Sequence, residues 1–157
     1  MEKKETRAMD NERLQRLIRR VDPEFTGRPG LWQLQVAGIG VRIVTDPKND
    51  RMRILIPIRE TDDLSRDDLY RLSQANFDTT LDARYAIAQG VLWSSFVHPL
   101  SSLTDEEFLS GLGQVVNIAR TYGETYSSGL LNFSGGDSEN IIERELLEEL
   151  KKKGELI

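Results

Sequence analysis

Apolar residues at helical spacing mark four segments of the chain. The first begins after Asp10, and its apolar residues recur at i, i+3, i+4 and i+7: Leu14, Leu17, Ile18 and Val21. Two later segments open with reciprocal capping pairs, Ser65 with Asp68 and Thr104 with Glu107. A fourth segment, 139–153, carries Ile141, Ile142, Leu146, Leu147 and Leu150. The spacing therefore predicts four helices.

Period-two alternation predicts five strands. Three precede the second helix, at about 32–36, 41–43 and 52–58. Two more lie between the second and third helices, at about 81–87 and 91–97. Turn-forming residues separate these strands, which favours a three-stranded antiparallel meander followed by a hairpin. Pro57 has no backbone donor, so it predicts an edge position or the end of its strand.

The order of elements predicts an α+β fold. The sheet has about five antiparallel strands with helices mainly on one face, in the order α-βββ-α-ββ-α plus a C-terminal helix. We expect a domain over 1–126, a linker over 127–138, which is rich in serine and glycine, and an amphipathic helix over 139–157.

Composition narrows the class of protein. The net charge of −5 argues against a general nucleic-acid binder, which normally presents a basic footprint. No apolar run is long enough to cross a membrane, and the charged start lacks the apolar core of a secretory signal. The absence of cysteine removes disulfides, thiol nucleophiles and cysteine-bound metals. Together these features predict a cytoplasmic protein without a cofactor.

No residue pattern predicts a catalytic centre. His98 is the only histidine, and no second histidine at metal-ligand spacing accompanies it, so a structural role is favoured. Ser94 and Ser95 lie inside a strand, without the flanking glycines of a nucleophile elbow. An enzyme that uses carboxylates near His98 stays open as an alternative.

Glycine pairs and an acidic cluster also have structural explanations. Gly111 and Gly113 fall inside a helix, where close packing explains them better than phosphate binding does. Gly135 and Gly136 precede a helix, but no Gly-Lys-Ser/Thr follows, which favours a linker. Asp62, Asp63, Asp67 and Asp68 do not match a calcium loop and fit a helix cap.

Two segments carry candidate binding residues. Alternation places a polar, basic set on the sheet face opposite Trp32 and Ile54: Gln33, Gln35, Arg42, Arg53 and Arg59. This set is either a solvated outer face or a docking surface for an acidic or extended partner. Trp93 is likewise either an aromatic residue of the core or an exposed contact for a partner. The C-terminal helix cannot be stable alone, and packing on its own domain is the favoured outcome. Self-association through Ile142, Leu146 and Leu150 comes next, and binding in a partner groove stays open.

Between Leu14 and Tyr122 the chain resembles the type III secretion chaperone-like fold, which includes class I secretion chaperones and YbjN-type bacterial proteins. The resemblance rests on element order, on the helix with Leu72 and Ala75-Asn76 before the hairpin, and on His98-Pro99-Leu100 before a capped helix. It implies a homodimer that holds an extended segment of a client protein, or a YbjN-type regulatory protein of undefined activity. The segment from Ser127 onward has no counterpart in the basic pattern. We therefore expect a non-catalytic chaperone-like or adaptor protein that binds another polypeptide.

Overall fold

Three helices and one antiparallel sheet form the part of the chain that the computed structural model describes, residues 7–128. The elements are α1 (Asn11–Val21), β1 (Thr26–Arg28), β2 (Leu31–Val36), β3 (Ile39–Asp46), β4 (Arg51–Glu60), α2 (Arg66–Asp78), β5 (Arg84–Ala88), β6 (Val91–His98) and α3 (Asp105–Thr121). The α+β class and the order of the helices are confirmed. The fourth predicted helix, with Ile142, Leu146 and Leu150, lies outside the described residues, as does the linker beyond Ser128.

The sheet has six strands, in the order β1-β2-β3-β4-β6-β5, instead of the expected five or so. The additional strand β1 pairs with β2, and all three of its residues are exposed. No apolar alternation therefore marks this strand in the sequence. Gly27 has a φ of +106°, and a Cβ there would collide with the Leu31 carbonyl oxygen, so the strand depends on glycine at this point.

Pro57 lies in an interior strand, but at a point where that strand pairs on one side only. β4 runs between β3 and β6, and it continues to Glu60 beyond the proline. The register against β6 shifts between Pro57 and Arg59, which is a β-bulge. The residue that the bulge leaves unpaired is Ile58, whereas Pro57 itself pairs with Trp93. Pairing with β3 has already ended at Leu55, so at Pro57 only one side of the strand needs donors, as at a sheet edge.

The predicted helix starts are confirmed. Ser65 with Asp68 and Thr104 with Glu107 each form a complete capping box, and the Asp10 carboxylate accepts from the Arg13 amide. Such caps satisfy amide groups that have no partner within the helix.

The core lies between the sheet and the helices. Its largest fully buried side chains come from α1, the sheet and α3: Leu14, Ile18, Trp32, Ile43, Ile54, Leu92 and Phe108. α1 and α3 are also joined by an ion pair of 2.7 Å between Arg13 and Asp105. Within residues 7–128, no helix combines the length and apolarity needed to span a bilayer.

Gly111 packs closely, as expected, and Gly113 does not. A Cβ at Gly111 would lie 2.8 Å from the ring of buried Phe96, whereas a Cβ at Gly113 would meet nothing within 4 Å. We expect Gly111→Ala to lower the free energy of unfolding by about 1–2 kcal/mol, because overpacking outweighs the helix propensity gained. Gly113→Ala, the matched control, should raise it by about 0.5–1 kcal/mol. Urea unfolding followed by circular dichroism measures both, and equal effects would contradict the packing.

Asp50 ties the β3–β4 turn to the segment before α3. Its carboxylate accepts from the Ser101 amide and from the Ser101 hydroxyl, each at 2.7 Å. Its carbonyl oxygen accepts from the Leu100 amide at 3.2 Å. These hydrogen bonds from Ser101 hold the pKa of Asp50 below its usual value. The anionic form therefore stabilises the folded state.

Stability should consequently fall in acid. Because the pKa of Asp50 is lower in the folded state than in the unfolded state, the unfolded chain binds more protons as the pH falls below about 4. The contribution is present above that pH and is lost as the pH falls through the lowered folded-state pKa. Asp50→Asn keeps a residue that tolerates the φ of +52°. In this variant, the midpoint of urea unfolding should fall less steeply with decreasing pH than it does in the parent protein. The control Asp62→Asn, in the exposed loop before α2, should show the same pH dependence of the midpoint as the parent protein. An equal change in both variants would contradict the role of Asp50.

Candidate functional site

One face of the sheet is not covered by any helix of the described residues. Strand pairing places two sets of side chains on this face, which we call the open face. Its charged residues are the arginines Arg28, Arg42, Arg51, Arg53 and Arg84 and the carboxylates Asp46 and Glu60. Its apolar residues are Leu31, Val44, Leu55, Pro57, Trp93 and Val97. The open face is therefore apolar along its middle and carries arginines on four of its six strands, β1, β3, β4 and β5.

Exposure of the apolar residues is what distinguishes the open face from an ordinary solvated sheet. Leu31 is 47% exposed and Val97 is 51% exposed, although both lie on regular strands. The Arg42 guanidinium lies over the ring of Trp93, 6.0 Å from its centroid, across β4. Trp93 is half-buried, and its indole donates to the Ala88 carbonyl at 3.2 Å. Trp93 is therefore not a core residue, and its side chain lies on the open face.

Three of the predicted binding residues also line one shallow depression of about 280 Å³: Gln33, Gln35 and Arg42. Pro57 forms part of its floor, and Asp22 and Glu24 border it beyond β2. The Asp22 carboxylate accepts from the Gln35 backbone amide at 2.9 Å, which fixes this border. The depression thus offers amide groups and one guanidinium beside an apolar floor.

Arg59 does not share this face, in contrast to the expectation from alternation. After the bulge at Pro57, Arg59 pairs with Leu92, which is fully buried on the helix side of the sheet. Its side chain forms an ion pair with Asp63, and its Nε donates to the Glu60 carbonyl oxygen at 3.0 Å. The extra residue in the strand reverses the side on which the following side chains lie.

A second apolar surface lies on α2 and the edge strand β5. It consists of Leu69, Tyr70, Phe77 and Ile87, which are 43%, 74%, 69% and 50% exposed. We call it the α2–β5 patch. Leu69 and Ile87 also line a small concavity of about 200 Å³ between the helix and the strand. Two aromatic rings this exposed on one helix are unusual for a surface that meets only water.

Asn76 holds α2 against the edge strand. Its side-chain amide donates to the Tyr85 carbonyl at 2.9 Å and its oxygen accepts from the Tyr85 amide at 2.8 Å. Asn76 therefore satisfies the outward backbone groups of β5 as a neighbouring strand would. Ala75 is buried beside it, where a larger side chain would not fit as readily. The Ala75-Asn76 pair thus has a structural reason in this fold.

His98 meets one carboxylate. Its Nε2 lies 2.7 Å from Glu107, and its Nδ1 lies 2.8 Å from the Pro99 carbonyl oxygen. Hydrogen bonds with Thr104, supported by His98, hold the pKa of Glu107 below its usual value. A concavity of about 520 Å³ beside them also contains Asp82, Arg84 and Glu106. Glu107 is occupied in the capping box, and in residues 7–128 no three acidic or histidine side chains are grouped as metal ligands.

Comparison with known proteins identifies the fold. No family model matches the chain, and no curated protein sequence matches it. A chain in the crystal structure of the ExsC–ExsE complex superposes with a TM-score of 0.57 at 16% identity, over 78% of this chain and 100% of that chain. A chain of the HopA1–SchA chaperone-effector complex gives 0.52 at 9% identity, over 69% and 91%. The structure of the Yersinia pestis type III secretion chaperone SycH with a fragment of YscM2 gives 0.51 at 14% identity, over 68% and 96%.

These similarities bear on architecture. At such low identities they establish that residues of this chain adopt the type III secretion chaperone-like fold, as the resemblance in the sequence implied. All three similar structures are protein complexes, and two of them, with SchA and with SycH, are complexes of a chaperone with another protein.

Proposed function

We propose that the protein is a non-catalytic chaperone-like or adaptor protein that binds a segment of another polypeptide on its open face. The observation that carries the proposal is the exposed apolar strip, with Leu31 and Val97 about half exposed, beside the five arginines. The shared fold of chaperone–effector complexes supports the same class of function.

The chemistry of the open face selects the kind of segment. Apolar side chains of a client would bury Leu31, Leu55 and Val97, while client carboxylates would pair with Arg42 and Arg53. Guanidinium groups bind carboxylates in a forked geometry, which favours acidic residues at defined positions. We therefore propose clients with apolar and acidic residues in alternation or at short spacing. The apolar strip favours polypeptide over nucleic acid.

We further propose that the protein is a homodimer and that the α2–β5 patch forms the interface. An isologous contact places the same patch of both copies face to face, so Tyr70 and Phe77 would be buried together. Aromatic residues are enriched in the centres of such interfaces. Asn76 fixes α2 to β5 and so holds the two parts of the patch in position relative to each other.

The setting and the second candidate follow from the same features. We propose a cytoplasmic, bacterial protein, in line with the absence of cysteine and with the shared fold. A YbjN-type regulatory protein is the second candidate, and a chain that is monomeric in solution would favour it. We propose no catalytic role for His98, because its Glu107 partner serves the capping box of α3.

A peptide-display library panned against the full chain tests polypeptide binding. We expect enrichment of segments rich in apolar and acidic residues, and at least about tenfold weaker binding to Arg42→Glu/Arg53→Glu, which corresponds to about 1.4 kcal/mol. Arg19→Glu/Arg20→Glu changes two exposed arginines of α1 by the same charge and should bind as the parent does. Failure to enrich any segment, or equal losses in both variants, would contradict the proposal.

A further inference from the structure

The same chain contains a segment whose chemistry complements the open face. We propose that residues 137–153, which follow the described part of the chain, dock on the open face of their own protomer. The apolar residues predicted to share a stripe, Ile142, Leu146 and Leu150, then cover the apolar strip. The carboxylates beside that stripe pair with the arginines.

Charge complementarity is the first support. Positions 137–149 carry six carboxylates and one arginine, and three further positive charges of the segment follow at Lys151, Lys152 and Lys153. The open face carries five arginines and two carboxylates, whereas the chain as a whole has a net charge of −5. The acidic first part of the segment and the arginines of the open face therefore attract each other. Salt weakens this attraction, because exposed charges lose most of their interaction beyond about 10 Å at 0.1 M salt.

The position where the described chain ends is the second support. Ser128 donates its amide to the Thr79 carbonyl at 3.1 Å and accepts from the Asn117 side chain at 2.6 Å. Thr79 follows α2 and precedes β5 by a few residues, so the chain leaves the domain beside the β5 edge of the sheet. Positions 129–136 separate this point from Asp137. Eight residues reach at most about 26–29 Å, enough to pass one edge and reach the middle strands, which lie about 4.8 Å apart.

Length is the third support. The helix predicted for 139–153 would extend about 22 Å at 1.5 Å per residue. A six-stranded sheet with strands about 4.8 Å apart is about 24 Å wide. One helix laid across the strands therefore covers the open face from edge to edge. An amphipathic helix of this length needs such a surface, because it is marginal in water alone.

The α2–β5 patch is the less suitable surface for this segment. α2 carries three carboxylates, Asp67, Asp68 and Asp78, against two arginines, Arg66 and Arg71. The strands of the open face carry five arginines against two carboxylates, Asp46 and Glu60, and two more carboxylates, Asp22 and Glu24, border the depression. Both the open face and the α2–β5 patch could bury the apolar stripe of the segment. The difference in charge therefore decides between them, and it favours the open face.

Docking would make the segment an internal competitor for the client surface. This consequence, unlike the docking itself, rests on the proposed function. A client would then have to displace residues 137–153, and its apparent affinity would fall by the fraction of time that the face is covered.

Distances between paired spin labels in the full chain test the docking. The chain has no cysteine, so Lys48→Cys in the β3–β4 turn and Lys152→Cys provide two unique sites. We expect a narrow distance distribution at low salt that persists when labelled protein is diluted with unlabelled protein. Arg42→Glu/Arg53→Glu should abolish the narrow component, and adding Glu143→Arg/Glu149→Arg should restore it. Arg19→Glu/Arg20→Glu, on α1, should leave it intact.

Three results would overturn the inference. A broad distribution in the parent protein would show that 137–153 has no fixed position. A narrow distribution that survives reversal of Arg42 and Arg53 would place the segment elsewhere. Loss of the distance on dilution would assign the contact to a second copy. No client is present in the experiment, so its outcome is independent of whether the protein binds other polypeptides.

Discussion

Tyr70→Glu/Phe77→Glu is expected to convert the protein from a dimer to a monomer in solution. The two rings are 74% and 69% exposed and lie seven residues apart, on one side of α2. Burying such aromatic anchors against a second copy commonly contributes 2 kcal/mol or more each at the centre of an interface. Introducing two carboxylates into the contact should raise the dissociation constant at least about a hundredfold. Sedimentation equilibrium over a concentration series measures this change.

Two control variants keep the dimer prediction specific. Leu109→Glu changes an apolar residue of α3 that is 51% exposed but lies outside the α2–β5 patch, and it should leave the dimer intact. Leu146→Glu in the full chain tests the predicted self-association through 139–153 and should also leave it intact. A parent protein that is monomeric, or a dimer lost only in Leu146→Glu, would contradict the interface.

Gln114→Leu is expected to cause a large loss of stability. Gln114 is 2% exposed, and its side-chain oxygen accepts from the Asp82 and Ala83 amides at 2.9 and 3.0 Å. Its nitrogen donates to the Asp82 carboxylate and to the Ser110 hydroxyl, each at 3.1 Å. Leucine has a similar size but leaves two backbone donors without a partner, at a cost of about 1–3 kcal/mol each when buried.

The combined loss should be about 2–4 kcal/mol, since one of the two amides is partly accessible. Urea unfolding should show a lower midpoint with an unchanged slope, because the surface exposed on unfolding is the same. Gln74→Leu, at an exposed position of α2, should change the midpoint little. Equal stability of Gln114→Leu and the parent would show that the segment before β5 does not depend on this side chain.

The sequence was sufficient for the elements with strong local signals. Ser65, Thr104 and their acidic partners determine both helix starts through contacts within one turn, so the pattern predicts them. Gln33, Arg42 and Arg53 were placed on the correct face because they precede any irregularity in their strands. Trp93 could not be assigned from alternation, since an aromatic residue suits either side of a sheet.

The remaining features depend on long-range structure. Arg59 was placed on the wrong face because a single bulge after Pro57 changes the phase of alternation. β1 has no apolar residue, so only its pairing with β2 defines it. Gln114 interrupts the apolar side of α3, and that polar residue among Leu112, Val115 and Val116 is the one local signal of its buried role. The α2–β5 patch could not be predicted, because its definition depends on which apolar residues of α2 are buried in the folded protein.

The most direct test of polypeptide binding on the open face uses the two indole signals of the protein. Trp93 lies on the open face, whereas Trp32 is fully buried and donates to Gln15 at 3.0 Å. A nitrogen-15 spectrum of the full chain is recorded with and without a peptide selected by display. The proposal predicts that the Trp93 indole resonance shifts while that of Trp32 stays in place. A bound peptide that leaves the Trp93 resonance unmoved would contradict binding on the open face.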